Sequence, residues 1–124
     1  MADFDDFKLL NDHYGHASGD DALIAFAAAC RAELRGGEVA ARLGGDEFVL
    51  LLPHHDGRRP EETTKAIGQR LAAGAKRGDY PLPTVSFGIA EVDRASGLDV
   101  SLARADAALY RAKRTGFGNV VRAE

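Results

Sequence analysis

Apolar positions along the chain follow two periods, and the way the periods alternate predicts the elements. Ala22, Leu23, Phe26, Cys30 and Leu34 recur at helical spacing while Asp20, Asp21, Arg31 and Glu33 fall elsewhere, so a helix ending near Leu34 has one core face. Ser18 offers this helix an N-cap oxygen after a break from Gly15 to Gly19, and a shorter helix from Phe7 to about Tyr14 precedes the break. Gly36 and Gly37 stop the longer helix. Val39 to Leu43 then reads as a strand and Phe48 to Leu52 as a buried strand stopped by Pro53, with Gly44 to Glu47 forming a four-residue hairpin turn between them. A polar loop from Pro53 to Pro60 leads to a helix of about Glu61 to Ala75, with Ile67 and Leu71 on its inner side. The β-branched stretch "TVSFGIAEV", Thr84 to Val92, is a strand, and a helix from about Val100 to Thr115 turns Leu102, Ala105, Leu109 and Ala112 inward. Met1 to Phe4 is the tail of a first strand, and "NVV" adds an edge strand near the end.

This order is a split βαβ pattern with a ferredoxin-like core, α+β in class. Each βαβ crossover makes its two strands parallel and leaves room for one strand between them, while hairpin strands are antiparallel. The first strand therefore lies beside Phe48 to Leu52 and runs opposite to it. Its C-terminal end, Asp3 to Asp5, meets the turn that holds Asp46 and Glu47. The last helix runs back along the Thr84 strand, so its final turn, with Arg111, Lys113 and Arg114, returns to the same sheet edge.

Composition narrows the partners. A chain of 124 residues, 45% hydrophobic and 28% charged, fits one domain that buries roughly two-thirds of its unfolded-chain surface. A net charge of -3 supplies no basic field for a nucleic-acid backbone, so a phosphate ligand has to be small and held by a few placed groups or a metal. Cys30, the single cysteine, reads as a buried thiol, and there is no disulfide framework. With no run of about 18 apolar residues and no signal peptide, the segment reads as cytoplasmic and free of membrane contact, while a membrane-anchored parent stays compatible with it.

Carboxylates from separate elements meeting at one sheet edge suit a hard divalent cation whose remaining sites go to water and phosphate oxygens. Asp3 and Asp46 are the first-choice ligands. The plainer alternative, that Asp3, Asp5 and Asp6 are helix-start acids complementing a dipole, weakens once they are paired with the Gly-Gly-Asp-Glu turn. An EF-hand is excluded, because "DFDDFK" places Phe7 at the third ligand position and lacks the required glycine. His13 and His16 have no nucleophile or triad partner at motif spacing, and His54 and His55 sit in a polar loop. None of them has the spacing of a zinc site.

In order and spacing, "DFDDFKLLNDHYGHASGDDAL", "RLGGDEF", "TVSFGIA" and "ADAALYRAKRTG" resemble the GGDEF domain of bacterial diguanylate cyclases over essentially the whole chain. The resemblance implies a palm-type, nucleotide cyclase-like sheet and the joining of two GTP molecules into cyclic di-GMP with release of two pyrophosphates. Catalysis is implied to need a homodimer with one GTP on each domain. It implies that Asp3, the Phe4 carbonyl and Asp46 hold magnesium or manganese, and that Glu47 acts near the incoming 3′-hydroxyl as second metal ligand or proton acceptor. Gly44 and Gly45 would let the nucleotide approach the backbone. Asn11 and Asp20 match the guanine readers, the start of the first helix at Phe7 and Lys8 suits phosphate, and Lys113 matches a phosphate-contacting lysine.

Three departures from the family pattern shape the expectations. Only Met1 and Ala2 precede Asp3, so the central strand is expected to be short, and the usual upstream helix is missing from this segment. Each uncompensated buried backbone group there costs about 1 to 3 kcal/mol. The inhibitory Arg-x-x-Asp reads Arg35-Gly-Gly-Glu38, a degenerate form with a longer carboxylate. Phe117 replaces a phosphate-binding arginine, leaving Arg111 or Arg114 as substitutes. Two further readings compete with the cyclase: a non-catalytic nucleotide sensor, and an interaction domain.

Overall fold

The computed structural model describes residues 1–53, 58–75 and 82–124. Along the chain run β1 (Ala2–Phe4), α1 (Phe7–Tyr14), α2 (His16–Glu33), β2 (Val39–Gly44), β3 (Glu47–Leu51), α3 (Arg59–Ala75), β4 (Val85–Ile89), α4 (Leu98–Thr115) and β5 (Val120–Arg122). The five strands form one sheet in the order β2-β3-β1-β4-β5. β1 is antiparallel to both β3 and β4, and β5 is parallel to β4. This is the expected split βαβ arrangement: β3 fills the place between β1 and β2, and β1 fills the place between β3 and β4.

Phe26 of α2 fixes the helical layer on the sheet. Its fully buried ring meets Phe4 of β1, Phe48 of β3 and Phe87 of β4 at centroid distances of 5.7, 4.5 and 6.4 Å. Burying an aromatic of this size contributes about 1.5–3 kcal/mol, and it does so where the three central strands meet. Ile67 and Leu71 of α3 and Ala105, Leu109 and Ala112 of α4 are buried as the periodicity predicts. Leu102 is only half-buried.

β1 has three residues between five-residue neighbours, short as expected. Its ladder is nevertheless used on both sides: Ala2 faces Phe48 and Phe87, and Asp3 faces Glu47 and Ser86. Met1 continues the pairing to β4, its amine donating to Gly88 O and its carbonyl accepting from Gly88 N, both at 2.9 Å. Past Met1 the sheet opens on a cavity of about 740 Å³, lined in part by Val49, Leu50, Ile89 and Ala90.

The expected five-residue break with Ser18 as N-cap is not found. Gly15 alone, at φ 86°, makes the corner between α1 and α2. Ser18 lies buried inside α2, where its hydroxyl donates to Gly15 O at 2.6 Å instead of accepting from an amide. Gly19 is helical too, and a Cβ there would stand 2.0 Å from Asn11 Oδ1, so the close approach of α1 needs glycine. Pro60 falls in the first turn of α3, which starts two residues earlier than expected; proline suits that turn because no helical partner awaits its missing N–H.

Candidate active site

The signature turn is tighter than a four-residue loop. Gly44 pairs with Glu47, so only Gly45 and Asp46 lie beyond the ladder, and the register shifts between Arg42 and Gly44. φ values of 157° at Gly44 and 51° at Gly45 permit this path, and Gly45 sits in the left-handed region that disfavours side chains. Arg42 Nε donates to Gly45 O at 2.9 Å and braces the tip. Phe48 and Val49, buried directly behind, anchor β3 in the core.

The sheet order brings Asp3 and Asp46 together. Their carboxyls lie close enough to share a proton, and burial first, then the hydrogen bond to Asp46, pushes the Asp3 carboxyl up to about 7. Lys113 opposes the shift without reversing it. Asp3 Oδ1 is buried without a hydrogen-bond partner, while Oδ2 lies 3.3 Å from Lys113 Nζ. The carbonyl of Phe4 adds a third hard oxygen and accepts from Lys113 Nζ at 2.8 Å. Oxygen donors alone, two of them anionic, fit magnesium or manganese far better than a soft metal. Among the described residues no three His, Cys, Asp or Glu side chains group as a metal cluster. Glu47 is exposed at the start of β3.

A pH effect follows from Asp3. Its carboxyl titrates near 7 folded and near 3.8 when freely solvated, so the folded state binds the extra proton between those values. This contribution to stability is complete below about 3.8 and is lost as pH rises through about 7. Asp3→Asn donates the same hydrogen bond permanently. In chelator, the variant is expected to exceed the wild type in urea resistance at pH 8, with the difference shrinking at pH 5. Equal differences at both pH values would contradict the shared-proton geometry.

Asn11 faces the α1–α2 corner, its Oδ1 buried and unpartnered against Gly19. Asp20 is exposed one residue further along α2, and Lys8 is exposed on α1. Phe7 stacks on Phe4 at 5.4 Å, and the α1 N-terminus has no side-chain cap, which leaves its first amides available. Arg111 turns to Arg122 O at 3.4 Å, and the Arg114 guanidinium lies 5.9 Å from the Tyr110 ring. Phe117 is 58% exposed and borders a separate cleft of about 400 Å³ with Leu9, His13 and Tyr14.

Arg35 is exposed, but Glu38 is turned inward. Its carboxylate accepts from Arg35 N at 2.7 Å and from Arg59 at 2.8 and 3.2 Å, while Arg59 also donates to Glu33 O. The longer side chain thus spans to α3. His54 and His55 lie outside the described residues.

Sequence reasoning missed Asp5. It is no exposed helix-start acid: it is 3% exposed and accepts from Thr84 Oγ1 at 2.6 Å, Ser86 Oγ at 2.9 Å and Gly118 N at 2.8 Å. The available signal was two hydroxyls at alternate positions of an otherwise apolar strand, which places both on one face.

The family model described as "Diguanylate cyclase, GGDEF domain" matches residues 1–119. Diguanylate cyclase DgcM of Escherichia coli K12 is 37% identical over 126 residues, spanning 99% of this chain and 30% of DgcM. The chain thus spans less than a third of that relative. Diguanylate cyclase SiaD of Pseudomonas aeruginosa, solved with its activator SiaC, superposes with a TM-score of 0.90 at 35% identity over 98% of this chain and 48% of SiaD. The GGDEF domain of DgcB from Caulobacter crescentus, solved with c-di-GMP, gives a TM-score of 0.89 at 31% identity over 98% of this chain and 74% of that one.

Proposed function

Because the chain belongs to the diguanylate cyclase GGDEF family, we propose that it condenses two GTP molecules into cyclic di-GMP, releasing two pyrophosphates, as a homodimer with one GTP on each protomer. The observation that carries this reading is the half-buried Asp3–Asp46 pair, with the unpartnered Asp3 Oδ1, beside the Phe4 carbonyl at the glycine turn. Asp3, Asp46 and the Phe4 carbonyl would hold magnesium or manganese. Bound there, such an ion would supply positive charge against the triphosphate, including that which develops on the α-phosphate.

The chain's own groups do the rest. Gly44 and Gly45 let phosphate oxygens approach the backbone, and the uncapped amides at Phe7 and Lys8 donate to them. Asn11 and Asp20 read guanine, since an amide with a carboxylate can accept from N1 and the exocyclic amine while donating to the purine carbonyl. The 3′-oxygen of one GTP bonds to the α-phosphorus of the other as the bond to pyrophosphate breaks. Glu47 takes the hydroxyl proton or completes the metal shell. Each phosphodiester needs both protomers, so alignment of the two halves supplies much of the rate.

Feedback at the Arg35-x-x-Glu38 turn is weak in this reading, because Glu38 is committed to Arg59. Glu38→Gln is expected to lower stability by about 2 kcal/mol, the worth of a charge-assisted bond, and to leave inhibition by added cyclic di-GMP unchanged. Urea melts and product-inhibition curves on the same preparation check both halves.

The reading is tested by incubating purified protein with GTP and magnesium or manganese and separating the products. Cyclic di-GMP and pyrophosphate should form at 1:2, with a specific rate that rises with protein concentration. GTP binding without turnover would favour a nucleotide sensor. A folded chain that binds no GTP would favour an interaction domain.

A further inference from the structure

Asp5 and Lys113 form a unit that the proposed reaction does not yet use. The Lys113 ammonium has three oxygen neighbours: Phe4 O at 2.8 Å, Asp3 Oδ2 at 3.3 Å and Asp5 Oδ1 at 3.3 Å. The first two belong to the proposed metal set. A divalent ion taking them repels the ammonium at short range and consumes its acceptors. Asp5 is the neighbour outside that set, and three groups hold it in place, since Thr84, Ser86 and Gly118 all donate to it. Gly118 N also ties the segment after α4 to the same carboxylate, and Asn119 Nδ2 donates back to Ala112 O and Thr115 Oγ1. The helix end carrying Lys113 is therefore fixed from both sides of the lysine.

We propose that Asp5 is a positioning residue, holding the Lys113 ammonium at the mouth of the Asp3–Asp46 pair so that it stays within reach of triphosphate oxygens when a divalent ion claims Asp3 and the Phe4 carbonyl. The proposal rests on the reading of this edge as a GTP site. Asp5→Asn isolates the contact. The amide oxygen still accepts from the Thr84 hydroxyl and Gly118 N–H, and the Ser86 hydroxyl can turn to accept from the new NH2. Only Lys113, a donor without acceptor capacity, loses its partner.

Two measurements decide it. In calorimetry with magnesium and 3′-deoxy-GTP, which lacks the attacking hydroxyl, Asp5→Asn should bind roughly tenfold more weakly than wild type. Lys113→Met should show a similar loss, and the double variant no further one, because both remove the same interaction. Additive losses would overturn the proposal. In the metal-free protein without nucleotide, acetylation of Lys113 followed by mass spectrometry should be several-fold faster in Asp5→Asn, and an unchanged rate overturns it equally. A wild type that fails to bind 3′-deoxy-GTP sinks the GTP reading, while the acetylation rates still decide whether Asp5 holds the lysine. Should Asp5→Asn fail to fold, wild type suffices: in saturating magnesium, Lys113 should still react several-fold more slowly than exposed Lys65, and equal rates would show that Asp5 does not hold it.

Discussion

Cyclic di-GMP formation is expected to fall by about three orders of magnitude in Asp46→Asn, while resistance to urea in chelator is unchanged or improved. In the proposed reading two opposite effects come from one substitution, because Asp46 would serve the metal while its charge stands against that of Asp3. It faces Asp3 across a partly buried gap, where a second negative charge disfavours the first. Replacing it by an amide of the same shape removes that repulsion and lets the amide donate to Asp3. The same change removes one of two anionic donors from a set of three oxygens, and a cation held so sparsely cannot lose one without losing its position. Product chromatography at saturating GTP and magnesium, beside a urea melt, measures both quantities. Retention of more than about a tenth of the activity would mean that Asp46 is no ligand. A loss of stability matching the loss of activity would mean that the turn, and not the metal set, had been damaged.

The part of this site that follows from topology was readable in the chain. Once the crossovers were assigned, β1 had to lie between β3 and β4, and Asp3 had to meet the turn at Asp46. What depends on side-chain direction was not. Arg111, Lys113 and Arg114 lie near the C-terminal end of α4, yet each residue turns about 100° from the one before, and Lys113 points at the Phe4 carbonyl. Asp5 was obscured because an acid at a helix start looks the same whether it faces amides or, as here, two hydroxyls of a neighbouring strand. Glu38 was read from the family's Arg-x-x-Asp pattern, in which its pairing with Arg59 at the start of α3 is not legible. Such long-range pairs come from packing of α3 on the sheet.

Packing sets the second large effect: Gly88→Ala is expected to cost at least about 4 kcal/mol, among the heaviest penalties of any single methyl group. Gly88 lies in β4, where every residue is buried, against the middle of α4. A Cβ at this position would stand 2.0 Å from Ala105 O, 2.3 Å from Leu109 N and 2.9 Å from Leu109 Cα. These are backbone atoms, so no rotamer change relieves the overlap. Ordinary contact needs roughly 3.5 Å, and helix and strand must therefore part by more than about 1 Å along their shared face. Ala105, Ala108, Leu109 and Ala112 would lose their seating together. Gly68→Ala is the control: it is helical in α3 with nothing within 4 Å of the added methyl, and it should gain up to about 1 kcal/mol. Urea midpoints for the two variants should move in opposite directions, and a Gly88→Ala midpoint close to wild type would refute the close approach. Lys113 follows Leu109 by one helical turn on α4, so lifting this helix also draws the ammonium away from the Phe4 carbonyl. Any folded fraction of Gly88→Ala should therefore bind 3′-deoxy-GTP as weakly as Lys113→Met, which ties the glycine in the strand to the charge at the site.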